Sequence, residues 1–323
     1  MTSLEKLITI LAVLLVSAVL LSVLEHKLRK RSLVAALVCL GLRIINPPHS
    51  EKDAKRRLRK YGKKNACPYK LPHINKRGIH ITECSVAGIQ CFVFESAGAG
   101  ENVIYLHGGA YVRNPRISHI RYLIRLAKIA KIRIFMPLYP KAPFYCADKT
   151  RDRMLEFYRE LLPKTGTPVL MGDSSGGGLA MLLCAEIGRN GLRVPRKLIL
   201  FSPWVDVSLD NPDILRYESL DPLISLSEVK YYGKVWAGDE DVYSPRVSPI
   251  FESERHLPKS YIFAGGRELI CPDLIRLHER LDFEGVEHSF ILRAGMNHVY
   301  QIYPIPEARA EVKLVSEIIN NRG

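Results

Sequence analysis

The 323-residue chain has no Asn-x-Ser/Thr acceptor sequence, no internal repeat and no clustered spacing among its 7 cysteines. The scattered, odd-numbered cysteines argue against a zinc or disulfide framework and fit a reducing compartment. Charge imbalance is also missing from most of the sequence. Residues 26–77 hold 16 Lys and Arg against Glu51 and Asp53, which accounts for the whole net charge of +14, and the remainder is neutral. No nucleic-acid recognition pattern accompanies this basic block, so nucleic acid is not the expected partner. Beside an apolar segment such a block suits anionic lipid, at about 1 kcal/mol per basic residue near the surface. The run Lys55-Arg56-Arg57-Leu58-Arg59-Lys60 also fits a solvated helix face.

That apolar segment is Leu7–Leu24, 18 residues without a charge, followed by His26-Lys27-Leu28-Arg29-Lys30-Arg31. It is long enough to span a bilayer, which takes about 17–25 residues. A signal peptide is the rival, but Lys6 is balanced by Glu5 and no Ala-x-Ala site follows. No polar face marks it as a core helix. Residues 1–25 are therefore expected to be a transmembrane anchor. Positive charge after the span places the C-terminal part on the cytoplasmic face, with a lumenal or extracytoplasmic orientation as the alternative. A second apolar run, Leu33–Ile45, is too short to span and holds Arg43, so it belongs at the interface or against a cap.

From about residue 77 strands alternate with helices. Gly78–Cys84 and Gln90–Glu95 read as two antiparallel strands; further strands are expected near 102–106, 132–136, 167–171, 197–201, 260–264 and 288–292. Connections of that length imply mostly parallel pairing with helices on both faces, an α/β class. Two motifs sit at strand ends. Gly172-Asp173-Ser174-Ser175-Gly176 lies between a strand-like and a helix-like run, the context in which small neighbours push a serine hydroxyl out of a tight turn. His107-Gly108-Gly109-Ala110 stands 67 residues earlier, after the strand-like Asn102–Leu106. Paired glycines there let backbone N–H groups approach a developing oxyanion. Each motif alone also fits an ordinary Gly turn; together they are far more specific.

With these motifs the sequence resembles the hormone-sensitive-lipase-like α/β-hydrolases, of the arylacetamide-deacetylase-like and bacterial esterase branch, from about Lys76 to the C-terminus. Ala110 replaces the third glycine of the family's His-Gly-Gly-Gly, which narrows the expected acyl pocket. Tyr139-Pro140-Lys141-Ala142-Pro143 and Ser202-Pro203-Trp204-Val205-Asp206 resemble two further family stretches. The resemblance implies an eight-stranded, mostly parallel sheet over residues 77–323, with a helical cap at about 206–249 and an N-terminal cap segment within the basic residues 26–76. It assigns the oxyanion donors to the amides of Gly108, Gly109 and Ser175.

A serine nucleophile needs an imidazole to take its proton and a carboxylate to orient that imidazole. In this fold the order is Ser, acid, His. Of the 10 histidines only His256, His278, His288 and His298 follow Ser174. His278 lies in a helical run and His288 heads a strand, whereas Ala294–His298 resembles the family's His loop, so His298 is expected as the base. The acid follows the strand-like Tyr261–Gly266: Glu268 is favoured and Asp273, readable as a helix cap near Leu274, is the alternative.

The expected activity is carboxylic-ester hydrolysis through an acyl-enzyme, short-acyl esterase or deacetylase in type, with no cofactor or metal. Small ester or lipid-like substrates and the membrane are the expected partners. An amidase, a steryl-ester deacetylase or an acyltransferase would share the triad. A non-catalytic binding protein is the rival of another class, since the family resemblance includes a plant hormone receptor without the catalytic His. A trypsin-like protease, suggested by Gly172-Asp173-Ser174, is excluded by the extra Ser175, the residue order and the alternating strands and helices.

Overall fold

The computed structural model describes residues 3–253 and 256–321. Three helices come first: α1 (Ser3–Arg29), α2 (Leu33–Ile45) and α3 (Glu51–Asn65). The strands are β1 (His80–Val86), β2 (Ile89–Glu95), β3 (Glu101–Leu106), β4 (Ile132–Pro137), β5 (Val169–Asp173), β6 (Leu198–Phe201), β7 (Ser260–Gly265) and β8 (His288–Arg293). Between them run α4 (Ile117–Ala130), α5 (Ala147–Thr165), α6 (Ser175–Arg189), α7 (Leu215–Glu218), α8 (Leu226–Ala237) and α9 (Cys271–Glu284), and α10 (Pro306–Asn320) closes the chain.

One eight-stranded sheet has the order β1-β2-β4-β3-β5-β6-β7-β8. Among the described residues only the β1–β2 and β2–β4 pairs are antiparallel. The expected mostly parallel sheet is therefore present, with small shifts at strand ends. β5 starts at Val169 because Pro168 has no N–H to give the ladder. Helix α9 starts at Cys271, three residues earlier than expected, with Pro272 in its first turn where a missing N–H costs nothing.

The central strands read as continuous apolar runs because both faces are covered. Ile104, Leu106, Leu170 and Leu200 join side chains of α5, α6 and α9 on one face. Val103, Tyr105, Met171 and Phe201 join α4 and α10 on the other. Parallel register sets Leu106 beside Gly172 and Asp173 beside Phe201, so the loops leaving β3, β5 and β6 meet at one edge. Above that edge α3 packs on α8: Ala54 and Leu58 share a cluster with Tyr232 and Trp236.

Helix α1 runs four residues beyond the expected anchor, and its stretch Lys6–Arg29 is long and apolar enough to cross a membrane, with none of its described side chains buried. Met1 and Thr2 of that anchor lie outside the described residues. Helix α2 is two-faced. Ala35 packs with Met296, Tyr300, Ile305 and Ala308, while Leu37, Leu40, Ile44 and Ile45 point outward. Its C-terminal end reaches the β6–β7 crossover, where Arg43 donates to the carbonyls of Ser219 and Leu220 and Asn46 to that of Leu223.

Candidate active site

Ser174 follows β5 directly and has φ +51° and ψ −123°. A non-glycine residue in that region costs on the order of 1–3 kcal/mol, and the surrounding contacts must hold it there. The carbonyl of Phe201 accepts its N–H at 2.9 Å, and its own carbonyl accepts from Gly177 and Trp204. The turn can be this tight because two neighbours lack a side chain. A Cβ on Gly172 would stand 2.4 Å from the carbonyl oxygen of Gly176, and one on Gly176 would stand 2.1 Å from that of Leu106.

Three sequence-expected side chains converge here. Ser174 Oγ lies 2.9 Å from His298 Nε2, and His298 Nδ1 lies 2.6 Å from Glu268 Oε2. The second Glu268 oxygen accepts the Gly265 N–H at 2.7 Å, and its side chain is fully buried. Burial pulls the His298 pKa down, but the hydrogen bond and charge of Glu268, with the charges of Asp221 and Asp173, outweigh it and leave the pKa above its ordinary 6.5. A neutral imidazole at that pKa accepts a proton from a hydroxyl and returns it to a leaving group.

Asp273 does not join this line. One of its oxygens accepts from Asn211 at 2.9 Å, and burial pushes its pKa up to about 7. It sits in the first turn of α9 rather than at its cap. His278 and His288 pair with each other at the far end of β8.

Of the three expected oxyanion donors, the Gly108 N–H donates to Asp173 Oδ1 at 2.9 Å. The backbone N–H groups of Gly109 and Ser175 donate to no partner among the described residues. Ala110 and Tyr111 both have positive φ, +54° and +60°, and Tyr111 stacks on Trp236 of α8 at 3.8 Å. His107 is a buried neutral ring stacked on Tyr139 at 4.6 Å, and burial holds its pKa well below 6.5. It braces the loop and does not face Ser174: Tyr139 donates to its carbonyl at 2.7 Å.

Several supporting contacts carry no sequence signal, although Asp173 and Ser202 themselves lie in the motifs. Asp173 accepts from Tyr105 at 2.6 Å and from His119 at 3.2 Å in addition to Gly108. Burial raises its pKa, but His119, Tyr105 and Gly108 together hold it below the usual carboxylate value. Asp221, from the β6–β7 crossover, accepts the N–H of Leu269 at 2.8 Å and those of Leu223 and Ile224 at 2.8 and 3.1 Å. It thereby ties the crossover to the turn that bears Glu268. Ser202 accepts the Val299 N–H at 3.0 Å, so the Ser-Pro-Trp stretch steadies both the serine turn and the histidine loop.

A cavity of about 90 Å³ opens beside Ser174, walled by Ala110, Leu223, Val229, Ile270 and Ile302 among others. An apolar cavity of about 150 Å³ takes a benzene ring, so this space suits only a few heavy atoms. Glu228 forms part of the wall, held by Arg113 at 2.7 Å and Arg57 at 3.1 Å.

A family model described as alpha/beta hydrolase fold matches residues 103–302. An esterase of Acinetobacter venetianus is 27% identical over 227 residues, which is 68% of this chain and 75% of that protein. An acetyl-hydrolase of Streptomyces hygroscopicus is 25% identical over 228 residues, with the same coverage of 68% and 75%. The crystal structure of the HSL-homolog EstE7 from a metagenome library superposes with TM-score 0.78 at 26% identity, covering 89% of this chain and 98% of that one.

Proposed function

Because the chain belongs to the α/β-hydrolase family, on its hormone-sensitive-lipase-like side, and is a carboxylic-ester hydrolase, we propose that it cleaves short-acyl esters at a membrane surface through Ser174, His298 and Glu268. The observation that carries this reading is the unbroken contact from Ser174 Oγ through His298 to Glu268, at 2.9 and 2.6 Å. Ser174 Oγ attacks the ester carbonyl as its proton passes to His298 Nε2. The N–H groups of Gly109 and Ser175 hold the oxyanion. Collapse of the tetrahedral centre expels the alcohol, which takes the proton from His298 and leaves the acyl group on Ser174. Water then repeats the sequence, its proton going to His298 and finally back to Ser174. Glu268 keeps the imidazole in the tautomer with Nδ1 protonated and stabilises its charged form.

The small cavity supports acetyl to butyryl groups on the acyl side, and the relative named acetyl-hydrolase points the same way. Helix α1 is the anchor, and the outward face of α2 with Leu37, Leu40 and Ile44 lies along the interface beside it. Positive charge after α1 favours a cytoplasmic catalytic domain. Turnover of p-nitrophenyl esters from acetate to palmitate tests the chemistry: Ser174-dependent cleavage is expected to peak at two to four carbons. A folded protein inert on every length would overturn it in favour of ligand binding. Orientation is read by labelling the exposed Cys67 with an impermeant maleimide in sealed vesicles of each sidedness.

A further inference from the structure

At the amino-terminal end of β8, away from Ser174, two imidazoles face each other. His278 Nδ1 lies 2.8 Å from His288 Nε2. Oxygens of the Asp282 carboxylate lie 3.6 Å from the first nitrogen and 3.8 Å from the second. His278 and Asp282 stand four residues apart on α9 and so share one helix face, while His288 opens the neighbouring strand. The esterase chemistry uses none of the three. His288 is nearly buried and Asp282 is exposed, with His278 between them at 35%.

We propose that His278, Asp282 and His288 form a site for a divalent transition-metal ion, zinc by the nature of its donors, that ties α9 to β8. The strongest argument is the tautomer of His288. Its Nδ1 lies 2.9 Å from the carbonyl oxygen of Val286, which can only accept. The proton is therefore on Nδ1, and the Nε2 lone pair points at His278 and Asp282. A ligating histidine characteristically spends its second nitrogen on such a carbonyl, which fixes the ring and raises its basicity. The His278 ring is held as well, stacked on Phe290 with centroids 4.7 Å apart.

The distances suit the ion. Tetrahedral zinc with bonds of about 2.0–2.1 Å sets its donors roughly 3.4 Å apart. The two nitrogen–carboxylate separations are already near that value, and the nitrogen pair has to open by several tenths of an ångström, which the partly exposed His278 can give. Imidazole with one carboxylate favours zinc, copper or nickel over magnesium and calcium, which want oxygen donors. The metal would displace the one proton that His278 Nδ1 now shares with His288, and water from solvent would fill the remaining position.

The placement gives the ion a structural role. Glu268 lies ten residues before His278, and His298 ten residues after His288. A metal here would clamp together the helix that follows the acid and the strand that leads to the base, without touching the reacting atoms.

The test uses full-length protein in detergent, stripped with EDTA and titrated with ZnCl2 alone, with MgCl2 for contrast. We expect one equivalent of zinc by calorimetry and a Tm rise of roughly 5–10 °C at a hundredfold excess over Kd, with no effect of magnesium. His278→Ala should weaken zinc binding at least tenfold and remove the Tm rise, and Asp282→Asn should weaken it severalfold. Asp282 is exposed enough for its metal-free variant to keep the wild-type Tm, and the zinc response of His278→Ala is read against its own metal-free Tm, since that variant also loses the stack on Phe290. Absence of a zinc-dependent Tm rise in the wild type overturns the site. So does equal binding by His278→Ala, which would place the zinc elsewhere, at Cys84 or His298 for instance.

Discussion

The Val103–Leu106 run of strand β3 and the Leu7–Leu24 run of helix α1 are both apolar in sequence and end in opposite circumstances. Val103, Ile104, Tyr105 and Leu106 are all 0% exposed, whereas Leu11, Val13, Leu14 and Leu20 are more than half exposed. The strand is sealed because helices cover both faces of its sheet. The apolar side chains described along the helix stand exposed instead. Hydrophobic content thus says that a segment wants to leave water, while packing alone decides whether the chain or something outside it supplies the apolar surroundings. Helix α2 joins the two situations in 13 residues, with Ala35, Cys39 and Leu42 turned in and Leu37, Leu40 and Ile44 turned out.

The sharpest way to separate the two regions is Ser174→Ala. Loss of a serine nucleophile typically costs 10⁴- to 10⁶-fold in kcat. The variant should lose turnover to that extent while its Tm and its sedimentation with membranes stay at wild-type values. Turnover that survives in a folded Ser174→Ala protein would remove the serine from the mechanism altogether.

Next in size is the choice between two buried carboxylates. Glu268→Gln should cost on the order of 10²- to 10⁴-fold in kcat/KM, because the amide can hold the imidazole in the wrong tautomer. It should also move the acid limb of the pH profile. His298 must be neutral to act as base, and its pKa is raised chiefly through Glu268. Activity should therefore fall as pH drops through a midpoint above 6.5 in the wild type, and that midpoint should shift downward in Glu268→Gln. Asp273→Asn should stay within about twofold, since burial has already pushed that carboxyl to about 7 and its bond to Asn211 can be kept by an amide. Inactivation by Asp273→Asn alone would reverse the two roles.

The proposed anchor should respond in the opposite pattern. Leu14→Arg puts a charge mid-span, which costs about 2.5–3.5 kcal/mol on insertion scales. The membrane-bound fraction should drop while kcat of the detergent-solubilised enzyme holds. Within α2 the two faces should differ. Leu42→Ala, on the inward face, should destabilise by about 2 kcal/mol, and Leu40→Gln, on the outward face, should leave Tm unchanged and weaken membrane binding only. Equal Tm losses from both would mean that the outward face is covered by protein after all.

How much of this was legible in the sequence follows from the range of the interactions. Ser174 and the glycine loop were readable because the turn geometry depends on neighbours within a few residues, such as Gly172 and Gly176. The strands were readable because their burial on both faces leaves long apolar runs. The partners of Asp173 were not: Tyr105 and His119 lie 68 and 54 residues away and meet it only after the sheet is built. For the same reason nothing local announces that a carboxylate 65 residues on will take a hydrogen bond from the Gly108 amide. Asp221 is hidden similarly, in a crossover whose loops carry no periodicity. Cys84 and Cys91, seemingly unrelated in spacing, stand directly opposite each other across the β1–β2 hairpin.

The smallest expected effect concerns a methyl group, and it tests how tightly the wall beside Ser174 is specified. Ala110 stands where the His-Gly-Gly-Gly pattern that the loop resembles has its third glycine, at φ +54° and on the cavity wall. A left-handed alanine costs about 1–2 kcal/mol. Ala110→Gly relieves that strain but frees the unfolded chain by about 0.4–1 kcal/mol, so the two nearly cancel and Tm should move by no more than about 2 °C. Removing the methyl enlarges a cavity that holds only a few heavy atoms. The preferred p-nitrophenyl ester should therefore lengthen by one or two carbons, with Ser174 dependence retained. An unchanged chain-length optimum would mean that Leu223 or Ile270 bounds the acyl group and that the Ala110 methyl faces the alcohol side instead.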